Sequence, residues 1–171
     1  DKTGYILLTR FSRNSAPEMQ KALTKLKKEK AESIILDLRN NPGGLLQSSI
    51  DILDMLLPKN QLLLSTKGRT KGSNRTFYSK RDPIISEDVK LAVLINGGSA
   101  SASEIVSGTI QDLDRGVIIG KRSFGKGLVQ SVYNLDDKNR LKMTTAKYYI
   151  PSGRLIQSSG YVEENIIIEF S

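Results

Sequence analysis

The 171-residue chain contains no histidine, no cysteine and no tryptophan. The absence of cysteine excludes disulfides and thiolate chemistry, and the absence of histidine removes the commonest general base and metal ligand. No apolar run approaches the roughly 18 residues that a membrane-spanning helix needs. Any nucleophilic catalysis by this chain would therefore need a base other than an imidazole.

The bulk composition is that of a globular protein. Hydrophobic residues make up 38% of the chain and charged residues 26%, which argues against disorder. We expect one domain over residues 1–171, and the start at Asp1 suggests a mature or excised part of a longer protein. The net charge of +8 could attract nucleic acid, but the densest lysines, in residues 25–30, have the spacing of a solvated helix face. We expect no nucleic-acid partner.

Strand patterns and helix patterns alternate along the chain. A capping box at Ser15–Glu18 predicts a helix start, residues 33–38 have the pattern of a strand buried on both faces, and residues 67–88 are expected to be a polar excursion. Strand–turn–helix units in series predict an α/β domain that binds ligands at the carboxyl ends of its strands. Three irregular turns are expected at such ends, at residues 39–44, 96–103 and 121–127.

A run of small residues at 96–105 is the most distinctive motif. It contains Ser99, Ser101 and Ser103, follows a predicted strand and opens a predicted helix. A helix start offers unpaired N–H groups and the positive end of the dipole, which suit a developing oxyanion. Serines also cap helices without any catalytic role. From the residues alone, a nucleophile and a structural cap are both open.

Lys126 is the candidate base for such a nucleophile. It lies between Gly125 and Gly127, which place no side chains around it. A lysine with the usual pKa of about 10.4 is only about one part in a thousand neutral at pH 7.4, so a lysine base has to be desolvated. The alternative is an ordinary solvated lysine in a turn.

Residues 120–126 also match the Gly-x4-Gly-Lys part of a phosphate-binding loop. However, Gly127 occupies the place of the required Ser or Thr, and residues 128–133 look extended where that motif needs a helix. Asp37, the candidate strand-ending aspartate, precedes the loop instead of following it. We do not expect nucleotide binding.

Taken together and in order, these motifs resemble the C-terminal processing peptidases, also called tail-specific proteases. The resemblance covers roughly residues 4–157 and rests on segments 36–44, 99–104, 124–130, 144–149 and 151–157. It implies an α/β fold with a crotonase-like (ClpP/crotonase) core of ββα units. It also implies a serine endopeptidase that cleaves proteins near their C-termini, without cofactor or metal.

The resemblance implies a serine–lysine dyad. In that family the lysine follows the nucleophile by 25 positions, which selects Ser101 as the partner of Lys126. Gln130 matches the glutamine that helps to hold the lysine in place.

Further site residues also come from the resemblance. The oxyanion hole would use the N–H group of Ala102 and that of a glycine in the Pro-Gly-Gly turn, with Gly44 preferred to Gly43. Glu104 and Asp112 match acidic positions that matter in the family, with no chemical step assigned to them.

Relatives in that family usually carry a PDZ domain before the segment that corresponds to residues 4–6, and this sequence has none. We therefore expect a protease core that works with the PDZ domain of the full-length protein on substrates with exposed, apolar C-terminal tails, and that could form an oligomer. The implied location is the bacterial cell envelope, or the plastid lumen for plant relatives. Residues 158–171 match the family only loosely. A non-catalytic ligand- or peptide-binding module on the same core is the alternative function.

Overall fold

The computed structural model describes residues 2–158. Strands and helices alternate through this part of the chain. The strands are β1 (Thr3–Leu7), β2 (Ser33–Asp37), β3 (Leu62–Lys67), β4 (Arg75–Tyr78), β5 (Lys90–Ile95), β6 (Val117–Gly120), β7 (Leu128–Asn134) and β8 (Arg140–Tyr149). The helices are α1 (Ser15–Lys28), α2 (Leu46–Leu56) and α3 (Ala102–Asp112). Within the described residues, no helix is both long and apolar enough to cross a membrane.

Four strands form a parallel sheet in the order β1-β2-β5-β6. Parallel neighbours need crossover connections, and helices supply them: α1 joins β1 to β2, and α3 joins β5 to β6. All four strands consequently end at the same edge of the sheet. The predicted turns at 39–44, 96–103 and 121–127 follow β2, β5 and β6, so they meet at this edge as expected.

The other four strands form an antiparallel sheet in the order β4-β3-β8-β7. Strands β7 and β8 make the extended region that was predicted from residue 128 onward. Strand β4 is a correction, because it lies inside the predicted polar excursion of residues 67–88. Its four residues are too few to give a clear alternating pattern, and they are extended because they pair with β3.

One face of the parallel sheet carries most of the core. Ile34, Leu36 and Val93 are buried on this face, whereas Ile35 on the opposite face is only half-buried and Tyr5 beside it is 56% exposed. The prediction that residues 33–38 are buried on both faces was therefore wrong. Three successive apolar residues at positions 34–36 could not reveal that the described chain fully covers only one face.

The start of α1 also differs from its prediction. The helix begins at Ser15 itself, and its cap residue Asn14 makes no capping hydrogen bond with its side chain. The Ser15 hydroxyl instead donates to the Arg10 carbonyl at 2.9 Å and accepts from the Ser12 N–H at 2.8 Å. The predicted capping box is not formed, and the Ser15 hydroxyl is instead bonded to the segment that precedes the helix.

Candidate active site

The turns after β2 and β5 are joined by a network of asparagine hydrogen bonds. The Asn40 N–H donates to Asn96 Oδ1, and Asn96 Nδ2 donates back to Asn40 Oδ1, both at 2.9 Å. The Ala100 N–H donates to the Asn41 carbonyl at 3.0 Å. These bonds hold the Pro-Gly-Gly turn directly against the serine-rich turn.

The three candidate serines have different surroundings. The buried Ser99 hydroxyl donates to the Leu38 carbonyl at 2.7 Å, and the buried Ser103 hydroxyl donates to the Asn41 carbonyl at 2.9 Å. Both hydroxyls therefore fasten the turn to the end of β2. Ser101 is only half-buried, so its hydroxyl is the one of the three that a substrate can reach.

Ser101 also has an unusual backbone conformation, with φ 55° and ψ −112°. A non-glycine residue in such a sparsely populated region costs about 1–3 kcal/mol and persists only where its surroundings enforce it. The same strand-to-helix placement, directly after β5 and before α3, presents the nucleophile in hydrolases that use a strained turn. The conformation distinguishes Ser101 from its two neighbours.

The Glu104 carboxylate links the serine turn to the lysine loop. Its Oε2 atom accepts hydrogen bonds from the Ser101 N–H at 2.7 Å and from the Lys126 N–H at 2.9 Å, while Oε1 accepts from the Gly125 N–H at 2.6 Å. The residue is 2% exposed. Two hydrogen bonds to one oxygen place the backbone nitrogens of Ser101 and Lys126 less than about 6 Å apart.

The lysine loop has further anchors beyond Glu104. The Tyr148 hydroxyl donates to the Lys126 carbonyl, and the Gly127 N–H donates to Gln157 Oε1 at 3.0 Å. The Ser158 N–H donates to the Gly125 carbonyl at 2.9 Å. Lys126 itself is half-buried, and both polar groups of its backbone are bound by buried or half-buried side chains.

Two backbone N–H groups beside Ser101 are unoccupied. Among the described residues, those of Ala102 and Gly44 donate to no other group, whereas the Gly43 N–H is taken by Asn41 Oδ1 at 2.9 Å. Gly43 has φ +92°, and a Cβ atom there would lie 2.9 Å from the Ser101 Cβ. Only glycine fits so close to the serine.

Two predicted site residues are not joined to Lys126 or Ser101 by hydrogen bonds. Gln130 lies in β7 opposite Thr144 next to a register shift, and within residues 2–158 no hydrogen bond links its side chain to Lys126. Asp112 ends α3, about 16 Å along the helix axis from Ser101 at 1.5 Å per residue. Its carboxylate accepts from the Ser152 N–H at 2.9 Å and from Arg154 at 2.5 Å.

The environment of Asp112 sets its charge. Burial raises the pKa of this carboxyl, but the hydrogen bonds from Ser152 and the charge of Arg154 outweigh burial, so the pKa lies below its usual value. Asp112 is therefore an ionised anchor for the turn at residues 151–154.

The sequence predicted no role for Tyr148, which lies in the family-like segment 144–149. The residue is 1% exposed, and burial raises the pKa of its phenol far above the usual range, with the charge of Glu104 raising it further and a hydrogen bond from the Ser101 side chain lowering it. The phenol is therefore neutral. Alternation along the end of β8, with Ala146, Tyr148 and Ile150 buried, was the available signal, since a buried tyrosine hydroxyl needs a partner.

The structure also bears on the phosphate-loop alternative. Gly127 is followed by strand β7, whereas a phosphate-binding loop runs into a helix whose N-terminus holds the anion. The segment at 120–126 therefore lacks the architecture for nucleotide binding.

A cavity of about 240 Å³ lies beside Glu104, on the side of α3. Apolar residues from β5, β6 and the segment after β8 line one part of it, namely Ile95, Ile118, Ile150, Leu155 and Ile156. Polar side chains line the rest, namely Glu104, Ser107, Gln111, Ser123 and Arg154. The cavity therefore offers both apolar contacts and hydrogen-bonding groups.

Comparison with known proteins agrees with this arrangement. The model for peptidase family S41 matches residues 2–168. The chain is 42% identical over 170 residues to a carboxy-terminal-processing protease of Bartonella bacilliformis, with 97% of this chain and 38% of that protein covered. It is 40% identical over 159 residues to the chloroplastic carboxyl-terminal-processing peptidase 3 of Arabidopsis thaliana, with 93% of this chain and 30% of that protein covered.

A solved structure shows the same fold. The photosystem II D1 C-terminal processing protease superposes with a TM-score of 0.80 at 36% sequence identity, and the match covers 91% of this chain and 39% of that chain. The chain thus spans less than two fifths of the length of these relatives. Because the family model covers nearly every residue and the serine turn, glycine turn and lysine loop converge as described, the chain belongs to peptidase family S41.

Proposed function

We propose that this chain is the catalytic core of a serine endopeptidase that uses a Ser101–Lys126 dyad to cleave proteins near their C-termini. The observation that carries the proposal is the shared contact of Glu104 Oε2 with the backbone N–H groups of both residues, at 2.7 and 2.9 Å. A serine on a strained turn and a half-buried lysine are thereby held beside each other. The chain contains no histidine to act instead.

The chemistry follows from these positions. Neutral Lys126 takes the proton of the Ser101 hydroxyl as its oxygen attacks the scissile carbonyl, and the N–H groups of Ala102 and Gly44 stabilise the oxyanion. Protonated Lys126 then gives its proton to the leaving amine as the C–N bond breaks. Water, deprotonated by Lys126, attacks the resulting ester, and the carboxylate product leaves with Ser101 restored.

The remaining predicted residues support this chemistry indirectly. Gly43 leaves room for the serine, and its bond to Asn41 shapes the turn that presents the Gly44 N–H. Gln130 is proposed to help to hold Lys126. Asp112 holds the turn at residues 151–154. The chain runs from this turn to Gln157, whose side chain contacts the lysine loop. The importance of Asp112 would therefore be structural.

The substrate proposal rests on the relatives. Proteins named for C-terminal processing cover this chain almost completely. An extended substrate would pair with a free strand edge, since such pairing reads the backbone more than the side chains. We further propose a crotonase-like core, a PDZ domain in the full-length protein that captures apolar tails, and a place in the bacterial cell envelope.

The test measures the rates at which the full-length protein cleaves two model substrates. One substrate has an apolar C-terminal tail, and the other is identical except for a charged tail. Ser101→Ala and Lys126→Ala are each expected to lower kcat/KM by about 10³-fold or more. Lys121→Ala, an exposed lysine in the same loop, is the matched control and should leave the rate unchanged. Full cleavage by the Ser101→Ala variant would refute the dyad.

A further inference from the structure

Tyr148 is bonded to the lysine loop through both its side chain and its backbone. Its hydroxyl donates to the Lys126 carbonyl, and its backbone N–H donates to the Gly127 carbonyl at 3.0 Å. The residue is thus attached to two successive peptides of the loop that carries the proposed base.

The chemistry of a phenol makes this geometry directional. A phenol has one hydrogen to donate and oxygen lone pairs that accept. The hydrogen of the Tyr148 hydroxyl goes to the Lys126 carbonyl. Because Tyr148 is 1% exposed, removal of its hydroxyl would leave that carbonyl without its side-chain partner.

The Lys126 peptide is consequently held from both ends. Glu104 binds its N–H group at 2.9 Å, and Tyr148 binds its carbonyl. The two contacts act on opposite ends of the residue, so together they orient the backbone from which the lysine side chain leaves.

We propose that Tyr148 is a positioning residue that orients Lys126, and through it the lysine amine, for reaction with Ser101. The proposal rests on the Ser101–Lys126 function given above and assigns no proton transfer to the phenol. Misplacement of reacting groups by about 1 Å can cost about 10²-fold in rate, so a group that orients the lysine should affect turnover more than substrate binding.

The neighbouring Tyr149 provides a matched control. It is half-buried, and its ring lies under Lys67 Nζ, with 5.0 Å between that atom and the ring centroid. Tyr148→Phe and Tyr149→Phe therefore remove the same atom from adjacent positions of β8, one inside the site and one outside it.

The experiment measures kcat and KM of the full-length protein for the apolar-tailed substrate across neutral and alkaline pH. For Tyr148→Phe we expect kcat to fall by roughly 10- to 100-fold, as for a buried hydrogen bond left unmade, with KM changed less than about threefold. Tyr149→Phe should match the wild type in both quantities.

A protein with 3-fluorotyrosine at position 148 is the conservative replacement, because it keeps the hydroxyl and nearly the same shape. Its kcat and KM should both stay within about threefold of the wild type, because the bond to the Lys126 carbonyl is kept. Should Tyr148→Phe fail to fold, this protein decides alone, and a kcat more than about tenfold below that of the wild type overturns the proposal.

Other outcomes separate the two proposals. Kinetics of Tyr148→Phe equal to those of Tyr149→Phe overturn the positioning role but leave the dyad intact. A KM that rises as much as kcat falls means a structural role only, and it also overturns the proposal. Cleavage that survives Ser101→Ala refutes the proposed function, and the role of Tyr148 fails with it.

Discussion

A neutral residue in place of Glu104 should lower both the stability of the fold and the cleavage rate. Glu104→Gln tests this with the smallest change in side-chain shape. The carboxylate accepts three backbone hydrogen bonds, two at Oε2 and one at Oε1. A glutamine side chain has one acceptor oxygen, while its NH₂ group can only donate. In either orientation at least one buried N–H group then faces another donor.

The expected loss of stability is worked out for the glutamine orientation that keeps more of the hydrogen bonds. A glutamine whose oxygen faces Ser101 and Lys126 keeps two bonds and loses the one to Gly125. A lost hydrogen bond to a charged acceptor costs about 1.5–3 kcal/mol, and a chain of this length changes its Tm by about 2–4 °C per kcal/mol. We expect Tm to fall by about 3–12 °C, and kcat/KM to fall by about 10- to 100-fold as the lysine loop shifts.

Glu18→Gln is the matched control, because Glu18 also lies in the first turn of a helix but is exposed. Thermal unfolding by circular dichroism and cleavage of the apolar-tailed substrate are measured for both variants. Glu18→Gln should change neither quantity. If Glu104→Gln matches this control in both assays, the carboxylate does not hold the site together.

Three further predictions concern strain, crowding and charge. Ser101→Gly should be more stable than Ser101→Ala by about 1 kcal/mol, because glycine accepts φ 55° without strain; equal Tm values would contradict a strained serine. Gly43→Ala should reduce kcat/KM at least tenfold, because a Cβ atom there would lie 2.8 Å from the first backbone nitrogen of α3; an active variant would refute this fit. The hydrogen bond from Arg39 holds the pKa of Asp37 well below its ordinary value of 3.8, so the ion pair stabilises the fold above that pH and is lost as the pH falls further. The stability difference between wild type and Asp37→Asn should therefore shrink below about pH 4, as urea unfolding at several pH values can test, and a constant difference would contradict it.

The strands of the parallel sheet and the three irregular turns at its edge could be predicted from sequence because the strands are local apolar runs and the turns contain glycine, asparagine or serine. Which face of the sheet is covered could not be predicted, because Ile35 and Leu36 look alike in sequence but lie on opposite faces. The same limit applies to the site. Spacing relative to known peptidases selected Ser101, but the bonds of Glu104 and Tyr148 to the Lys126 backbone connect residues more than 20 positions apart, which no local pattern reveals.

The dyad itself can be tested by covalent labelling. The full-length protein is treated with a fluorophosphonate, and the modified residue is located by mass spectrometry in the wild type and in Lys126→Ala. We predict a single adduct on Ser101, absent from Ser99 and Ser103, that forms at least about 100-fold more slowly without the lysine. An adduct on another residue, or a rate that does not depend on Lys126, would contradict a Ser101–Lys126 dyad.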